Sequence, residues 1–196
     1  MCAVPQAAGP RLGKTGRLNR VVGLVGPFPP GADPDAYDRL RRRVLWRMPA
    51  GIYLLGSAAH GRRNLMTHNL AVQVATEPKL LAVSVRADAL THELVREGRV
   101  FSLCFLKRQD RALVRGFTKP ATEGPEPGML GGVAVRVGST GAPVLAQAAA
   151  WLECEVRNEL ALGDHTLFVG EVVDCAAPDE GAELLRMEDT RLNYGG

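Results

Sequence analysis

NLMTHNLAVQVATEPKLLAVSVRADALTH, residues 64–92, holds two strand patterns, a Glu-Pro turn and the start of a helix. Residues 64–76 predict one strand, and the two-residue period of a strand splits it into unlike faces. Met66, Leu70, Val72 and Val74 share a face with Asn64 and His68; Thr67, Asn69, Ala71, Gln73 and Ala75 share the other. A strand buried on both sides does not carry Thr67, Asn69 and Gln73 in a row, so one face is reserved for something polar. Pro78 closes the turn. Residues 80–86 then alternate again, setting Leu81, Val83 and Val85 opposite Ser84 and Arg86. Asp88 or Thr91 caps a short helix over residues 89–97, which Gly98 ends. The free N–H groups at that helix start, the Thr91 hydroxyl and the nearby Arg86 make a small anion site. The alternative is an ordinary capped helix beside a solvated arginine.

These residues resemble a known family. Asn64-x-Met66-Thr67, the Pro78 turn, Ser84-Val85 and Thr91-His92-Glu93-Leu94-Val95 are similar to the flavin reductase-like family, whose members fold as FMN-binding split β-barrels. The resemblance continues in the family's order. It runs through Gly98-Arg99-Val100-Phe101-Ser102-Leu103, Ala142-Pro143-Val144-Leu145 and Trp151-Leu152-Glu153-Cys154-Glu155-Val156, and ends on Gly163-Asp164-His165-Thr166-Leu167-Phe168-Val169-Gly170-Glu171-Val172. It covers the chain from Leu45 onward, and the last segment is its most specific motif.

The resemblance implies a mainly β (α+β) fold, an antiparallel split β-barrel with peripheral helices. It implies that Asn64, Leu65, Met66 and Thr67 line the ring and ribityl chain of FMN, and that Ser84, Val85, Arg86 and Thr91 hold the ribityl and phosphate. His68 and Asn69 would continue the ring contact, although they stand where relatives carry small or hydrophobic residues. His165 would face the open side of the flavin and meet the nicotinamide of NAD(P)H. The family's barrels dimerise near the flavin, so a homodimer is expected, with Tyr194 packing near a partner's flavin or lying in a loose tail.

The whole chain sets further bounds. Its 196 residues suit one domain with a real core. Aromatic residues make up only 5%, so that core must rest on Leu, Val and Ala. The net charge of +3 is small, and much of the basic excess lies near the N-terminus and in Arg39–Arg43, which gives no case for nucleic acid. The four cysteines lack metal-ligand spacing; Cys104, Cys154 and Cys175 sit in apolar strand patterns, as buried reduced thiols do. With no long apolar run and no signal-peptide core, a soluble cytoplasmic protein away from membranes is expected. Residues 1–32 read as a flexible extension and 33–196 as the barrel domain. Within the extension, residues 8–15 approach a phosphate-binding loop but fail it, because Ala8 takes the first glycine position and Pro10 interrupts.

Along the rest of the chain, Asp33-Pro34 opens a helix. Its stripe Tyr37, Leu40, Val44, Leu45 predicts packing against the barrel, with Pro49 as the stop. Residues 51–59 predict a strand, and Arg62 and Arg63 stand where they either reach a ligand or face solvent. Residues 100–106 and 133–137 predict strands, 109–117 a short helix, and 118–132 a long Pro/Gly-rich loop that is either a lid or a surface excursion. Residues 143–149 read as a turn or short helix. Residues 150–156 and 165–175 predict a long hairpin, with Gly170 marking a close approach, and 179–185 a last helix.

The chemistry narrows by exclusion. Gly-x-Ser-x-Gly is absent, His60, His68, His92 and His165 fall at no metal-binding spacing, and no Gly-x-Gly-x-x-Gly appears. Flavin chemistry asks little of side chains, since the ring carries the hydride. It needs polar groups along one ring edge, an anion site and an open face. Three functions compete. The first is an NAD(P)H-dependent flavin reductase, with FMN bound or with FMN or FAD as substrate, supplying a partner monooxygenase. The second is a flavoredoxin-like electron carrier serving a redox protein partner, and the third a flavin-free interaction module.

Overall fold

The computed structural model describes residues 26–124, 127–190 and 192. Most of the expected N-terminal extension, the phosphate-loop look-alike and Tyr194 lie outside the described residues. In chain order the elements are α1 (Pro34–Leu45), β1 (Tyr53–Ala59), β2 (Arg62–His68), β3 (Ala71–Thr76), β4 (Lys79–Arg86), α2 (Leu90–Gly98), β5 (Val100–Phe105), α3 (Leu113–Gly116), β6 (Met129–Leu130), β7 (Val133–Val137), β8 (Pro143–Leu145), β9 (Ala150–Leu162) and β10 (His165–Ala176). A seven-stranded antiparallel sheet takes the order β2-β1-β5-β9-β10-β4-β3, and a smaller one the order β6-β7-β8. The two edges of the large sheet, β2 and β3, are consecutive in the chain. The sheet therefore curls until its edges meet at one corner, the antiparallel split barrel expected.

That corner corrects the reading of residues 64–76 as one strand. β2 stops at His68, Asn69 and Leu70 turn the chain, and β3 starts at Ala71 on the other edge. The side-chain alternation is reset there: Asn64 and His68 are buried, while Leu70, Val72 and Val74 are exposed. The His68 ring holds the bend, its Nε2–H donating to the Leu70 carbonyl at 3.0 Å, and the Ser84 N–H donates to the same oxygen at 3.0 Å. The alternation of β4 holds as read, with Leu81, Val83 and Val85 buried and Ser84 and Arg86 half-buried.

Two apolar clusters occupy opposite faces of the central strands. Leu55, Leu81, Val83, Val85, Val95, Phe101, Leu103 and Phe168 fill the barrel. Leu54, Leu65, Cys104, Val144, Leu145 and Trp151 pack beneath the small sheet and α3. Each buried Val, Leu or Phe contributes about 1.5–3 kcal/mol, which is how a chain poor in aromatics builds this core. At Gly170 the approach expected from sequence is present: a Cβ there would stand 2.6 Å from the Phe101 ring and 2.8 Å from the Cys154 Cβ. Glu153, wholly buried, accepts the Ser139 and Thr140 N–H groups at 3.0 Å each and so ties down the turn between β7 and β8.

Other expectations change. No residue of α1 is buried, so its stripe does not pack on the barrel; Leu40, Val44 and Leu45 are exposed, and the helix ends at Trp46 rather than at Pro49. Helix α2 is capped by neither Asp88 nor Thr91; Ala89 stands at the cap, and Arg99 in the left-handed conformation (φ 56°) ends it. Gly98 is needed for another reason, since a Cβ there would overlap the Ala58 carbonyl. Residues 143–145 form β8, not a turn or helix. The expected last helix is also absent. Residues 178–182 form a turn instead, and 183–186 then lie extended, with bridges Gly51↔Arg186 and Lys107↔Leu184, and the Leu185 N–H donates to Leu106 O at 2.9 Å. Pairing with free backbone edges outweighs the weak helical preference of that segment. Cys104 and Cys154 are buried free thiols, but Cys175 is exposed. Burial pushes the thiol of Cys104 up to about 11 and that of Cys154 to about 12, so neither is a thiolate at neutral pH. No helix among the described residues is long and apolar enough to cross a membrane.

Candidate functional site

Where β3, β4 and β10 lie side by side, they wall a cleft of about 1750 Å³. Asn69, Ala71, Ser84, Arg86, His165 and Leu167 line this wall, and Trp46, Arg47, Met48 and Tyr53 also line the cleft. A pocket for one drug-sized ligand measures roughly 300–1,000 Å³, so the cleft has room for two molecules face to face. Its wall arises directly from the strand pairing. β10 lies antiparallel to β4 with His165 opposite Arg86 and Leu167 opposite Ser84, so the alternate residues of two strands reach the cleft together.

His165 is set by its neighbour. The turn at Gly163 (φ 58°) closes the β9–β10 hairpin, and Asp164 O accepts the Ala87 N–H at 2.9 Å, which fastens this turn to the end of β4. The Asp164 carboxylate stands 2.8 Å from His165 Nδ1. A carboxylate can only accept, so Nδ1 carries the proton and Nε2 is the nitrogen left for a ligand. The hydrogen bond from His165 also holds the Asp164 carboxyl below the usual carboxylate range. Arg86 makes a forked contact with Asp88, Nε to Oδ1 at 2.9 Å and Nη2 to Oδ2. That contact fixes the guanidinium at the cleft beside the Ser84 hydroxyl.

The predicted residues fall into two groups. Asn69, Ser84, Arg86 and His165 meet at the cleft. Asn64, Leu65, Val85 and Thr91 do not; all four are buried. The Asn64 amide donates to Thr91 Oγ1 at 2.8 Å and accepts the Ala121 N–H at 2.8 Å, so it joins α2 to the segment after α3. The anion site read from Ser84, Arg86 and Thr91 is therefore not one cluster, because Thr91 is turned inward to Asn64. Leu65 and Val85 are core side chains. Met66 packs against the barrel core, and Thr67 is half-buried, its hydroxyl donating to Val114 O at 2.6 Å and its N–H to Phe117 O at 2.9 Å. His68 is buried, and burial holds its pKa down at about 4, so it is neutral at physiological pH. Arg62 is exposed and paired with Glu93 (2.5 Å), and Arg63 is half-buried and paired with Glu123 (2.7 Å). The 118–132 segment is anchored at Ala121 and Glu123.

Sequence reasoning missed part of the cleft. Trp46, Arg47, Met48 and Tyr53 carry no motif, yet they line it together with the C-terminal segment that bridges to Gly51 and Lys107. Asp164 was visible as part of Gly-Asp-His, but its grip on the imidazole was not.

Comparison with known proteins agrees with this architecture. The profile of the flavin reductase like domain matches residues 45–194, and the chain belongs to that family. It is 32% identical to the ferric-chelate reductase (NAD(P)H) of Archaeoglobus fulgidus, over 78% of this chain and 90% of the relative. Among solved structures it is similar to the NADH:FAD oxidoreductase SgcE6 of Streptomyces globisporus. That match has a TM-score of 0.68 and 27% identity, covering 84% of this chain and 96% of the other. The styrene monooxygenase flavin reductase of Pseudomonas putida matches with a TM-score of 0.64 and 28% identity, over 74% and 90% of the two chains.

Proposed function

We propose that this protein is an NAD(P)H-dependent flavin reductase that holds FMN or FAD along the β3–β4–β10 wall. One observation carries the reading: in a member of this family, Asn69, Ser84, Arg86 and the Asp164–His165 pair converge on one cleft large enough for a flavin and a nicotinamide. The residues fit the group. Arg86 offers a fixed cation for the 5′-phosphate, Ser84 a hydroxyl for the ribityl chain, and Asn69 with the polar backbone at the β2–β3 bend the donors and acceptors for the ring edge. Met66, Thr67 and His68 support that bend from behind. Asn64, Leu65, Val85 and Thr91 hold the strands and α2 in place.

The flavin, when bound, supplies the hydride chemistry. What the chain contributes is position. His165 presents Nε2 to the nicotinamide, where it hydrogen-bonds the carboxamide and so orients the dihydropyridine. Asp164 keeps the ring from rotating. No general base is required for hydride transfer, so the Asp164–His165 pair serves to orient rather than to move a proton.

The reductase works as a cytoplasmic homodimer in this reading and hands reduced flavin to a monooxygenase. Support for the dimer comes from the apolar surface at the cleft: Leu45, Trp46, Met48, Leu70, Val72 and Leu184 are all exposed there, a patch of the kind that marks an interaction surface. His165→Ala tests the site. NAD(P)H oxidation should slow by tenfold or so while FMN affinity stays within about twofold. Equal oxidation rates in variant and parent would remove His165 from the site.

A further inference from the structure

Among the described residues six charged ones line the cleft, and five have partners within the protein. Arg86 pairs with Asp88, Asp164 with His165, Glu183 with Arg108, and Arg186 with Glu188. Arg47 is the exception: it has no ion-pair partner among the described residues and is exposed at the cleft. Its place is not accounted for by α1. The arginines that offset the helix dipole are Arg42 and Arg43 in the last turn, whereas Arg47 lies beyond the cap, its N–H donating to Val44 O at 3.0 Å. Arg39 and Arg43 precede it at four-residue intervals, both exposed and likewise without an ion pair among the described residues. Arg41 and Arg42, by contrast, are paired with Asp38. Arg39 and Arg43 lie on one side of α1 about 6 Å apart, and Arg47 follows just past the helix end, at the cleft.

We propose that Arg47 is a second phosphate anchor of the cleft, besides Arg86, with Arg43 and Arg39 extending the positive charge outward for a dinucleotide. This rests on the nucleotide reading above and adds to it the group that the unpaired cation receives: a phosphate remote from the reacting ring. A guanidinium suits it, since its planar fork donates two parallel hydrogen bonds to a phosphate. The phosphate belongs either to the nicotinamide dinucleotide, as its pyrophosphate or 2′-phosphate, or to the flavin.

Arg47→Gln in the full chain tests the assignment, with Arg47→Lys as the charge-retaining control. KM and kcat are measured for NADH and NADPH with FMN and with FAD. Binding of 5′-ADP and of 2′,5′-ADP is measured separately by calorimetry. The proposal expects KM for at least one ligand to rise about tenfold in Arg47→Gln with kcat within twofold, partial recovery in Arg47→Lys, and a weaker dependence of that KM on salt. A rise for NADPH alone assigns the 2′-phosphate, equal rises for NADH and NADPH assign the pyrophosphate, and a rise for FMN or FAD alone assigns the flavin phosphate. If every KM and both ADP affinities match the parent's, Arg47 anchors nothing and the proposal is overturned. A parent that turns over no nicotinamide defeats the reductase reading instead; loss of ADP binding in Arg47→Gln would still uphold the anchor.

Discussion

Acidifying the solution from pH 7 to pH 5 should cost this protein about 2 kcal/mol of stability through His68 alone. The ring is 2% exposed, and burial, opposed by its bond to Leu70 O and assisted by the nearby His165, holds its pKa down at about 4. An unfolded chain titrates its histidines near ~6.5. Between these values the unfolded state binds a proton that the native state refuses, so stability rises with pH across the window and is lost as pH falls. A difference of about 2.5 pH units, at ~1.36 kcal/mol each, gives roughly 2 kcal/mol by pH 5 and about 3 kcal/mol by pH 4. His68→Gln removes the titration but keeps an amide N–H for Leu70 O. Urea unfolding of both proteins at pH 7, 6 and 5, at fixed ionic strength, isolates the effect. The pKa of His92 is also lowered by burial, and its contribution cancels in the comparison. The stability difference between parent and variant should change by about 2 kcal/mol from pH 7 to 5. Parallel curves would show that His68 is solvated or already charged, and that the bend at Asn69 is not held as described.

Gly170→Ala should destabilise by about 1–3 kcal/mol, because its methyl group meets the Phe101 ring and Cys154; a urea midpoint equal to the parent's would contradict that packing. Asn64→Ala breaks the link between Thr91 and Ala121 and leaves a part-buried N–H unmet, costing about 1–3 kcal/mol. The chain around residues 118–124 should then be cut faster by protease, and unchanged cleavage would count against the link. Asp164→Asn retains a side chain of the same shape but allows the imidazole its other tautomer. NAD(P)H oxidation should fall on the order of tenfold with flavin affinity unchanged, and an undiminished rate would show that the pairing with His165 is idle.

Much of the barrel was legible because local pattern and final environment agree there. Leu81, Val83 and Val85 alternate with Ser84 and Arg86 in sequence and in burial alike, and Gly170 marks a real close approach. Legibility failed where long-range pairing overrides local preference. Nothing in residues 64–76 announces that the strand period is reset at Asn69, because the cause is the closing of the sheet between β2 and β3. The helix expected over 179–185 is replaced by a turn and an extended stretch that bridges to Gly51 and Lys107. The candidate site divides along the same line. Ser84, Arg86 and His165 were readable from alternation and motif. Asn64 and Thr91 looked equally polar, yet they satisfy each other inside the protein. Arg47 gave no signal at all, as its significance comes from being unpaired beside a cleft formed by segments far apart in the chain.

The central claim is that the β3–β4–β10 wall binds a flavin and brings a nicotinamide to it. Anaerobic titration of the purified protein with FMN, followed by NADH or NADPH, tests this most directly by visible absorption and flavin fluorescence. The account predicts quenched fluorescence on binding, then rapid bleaching of the flavin band by at least one nicotinamide, with both effects diminished in Arg86→Ala. FMN that stays fluorescent in the presence of excess protein would contradict the site itself. A bound flavin that neither NADH nor NADPH bleaches would leave the cradle in place but contradict the reductase, and make the protein an electron carrier.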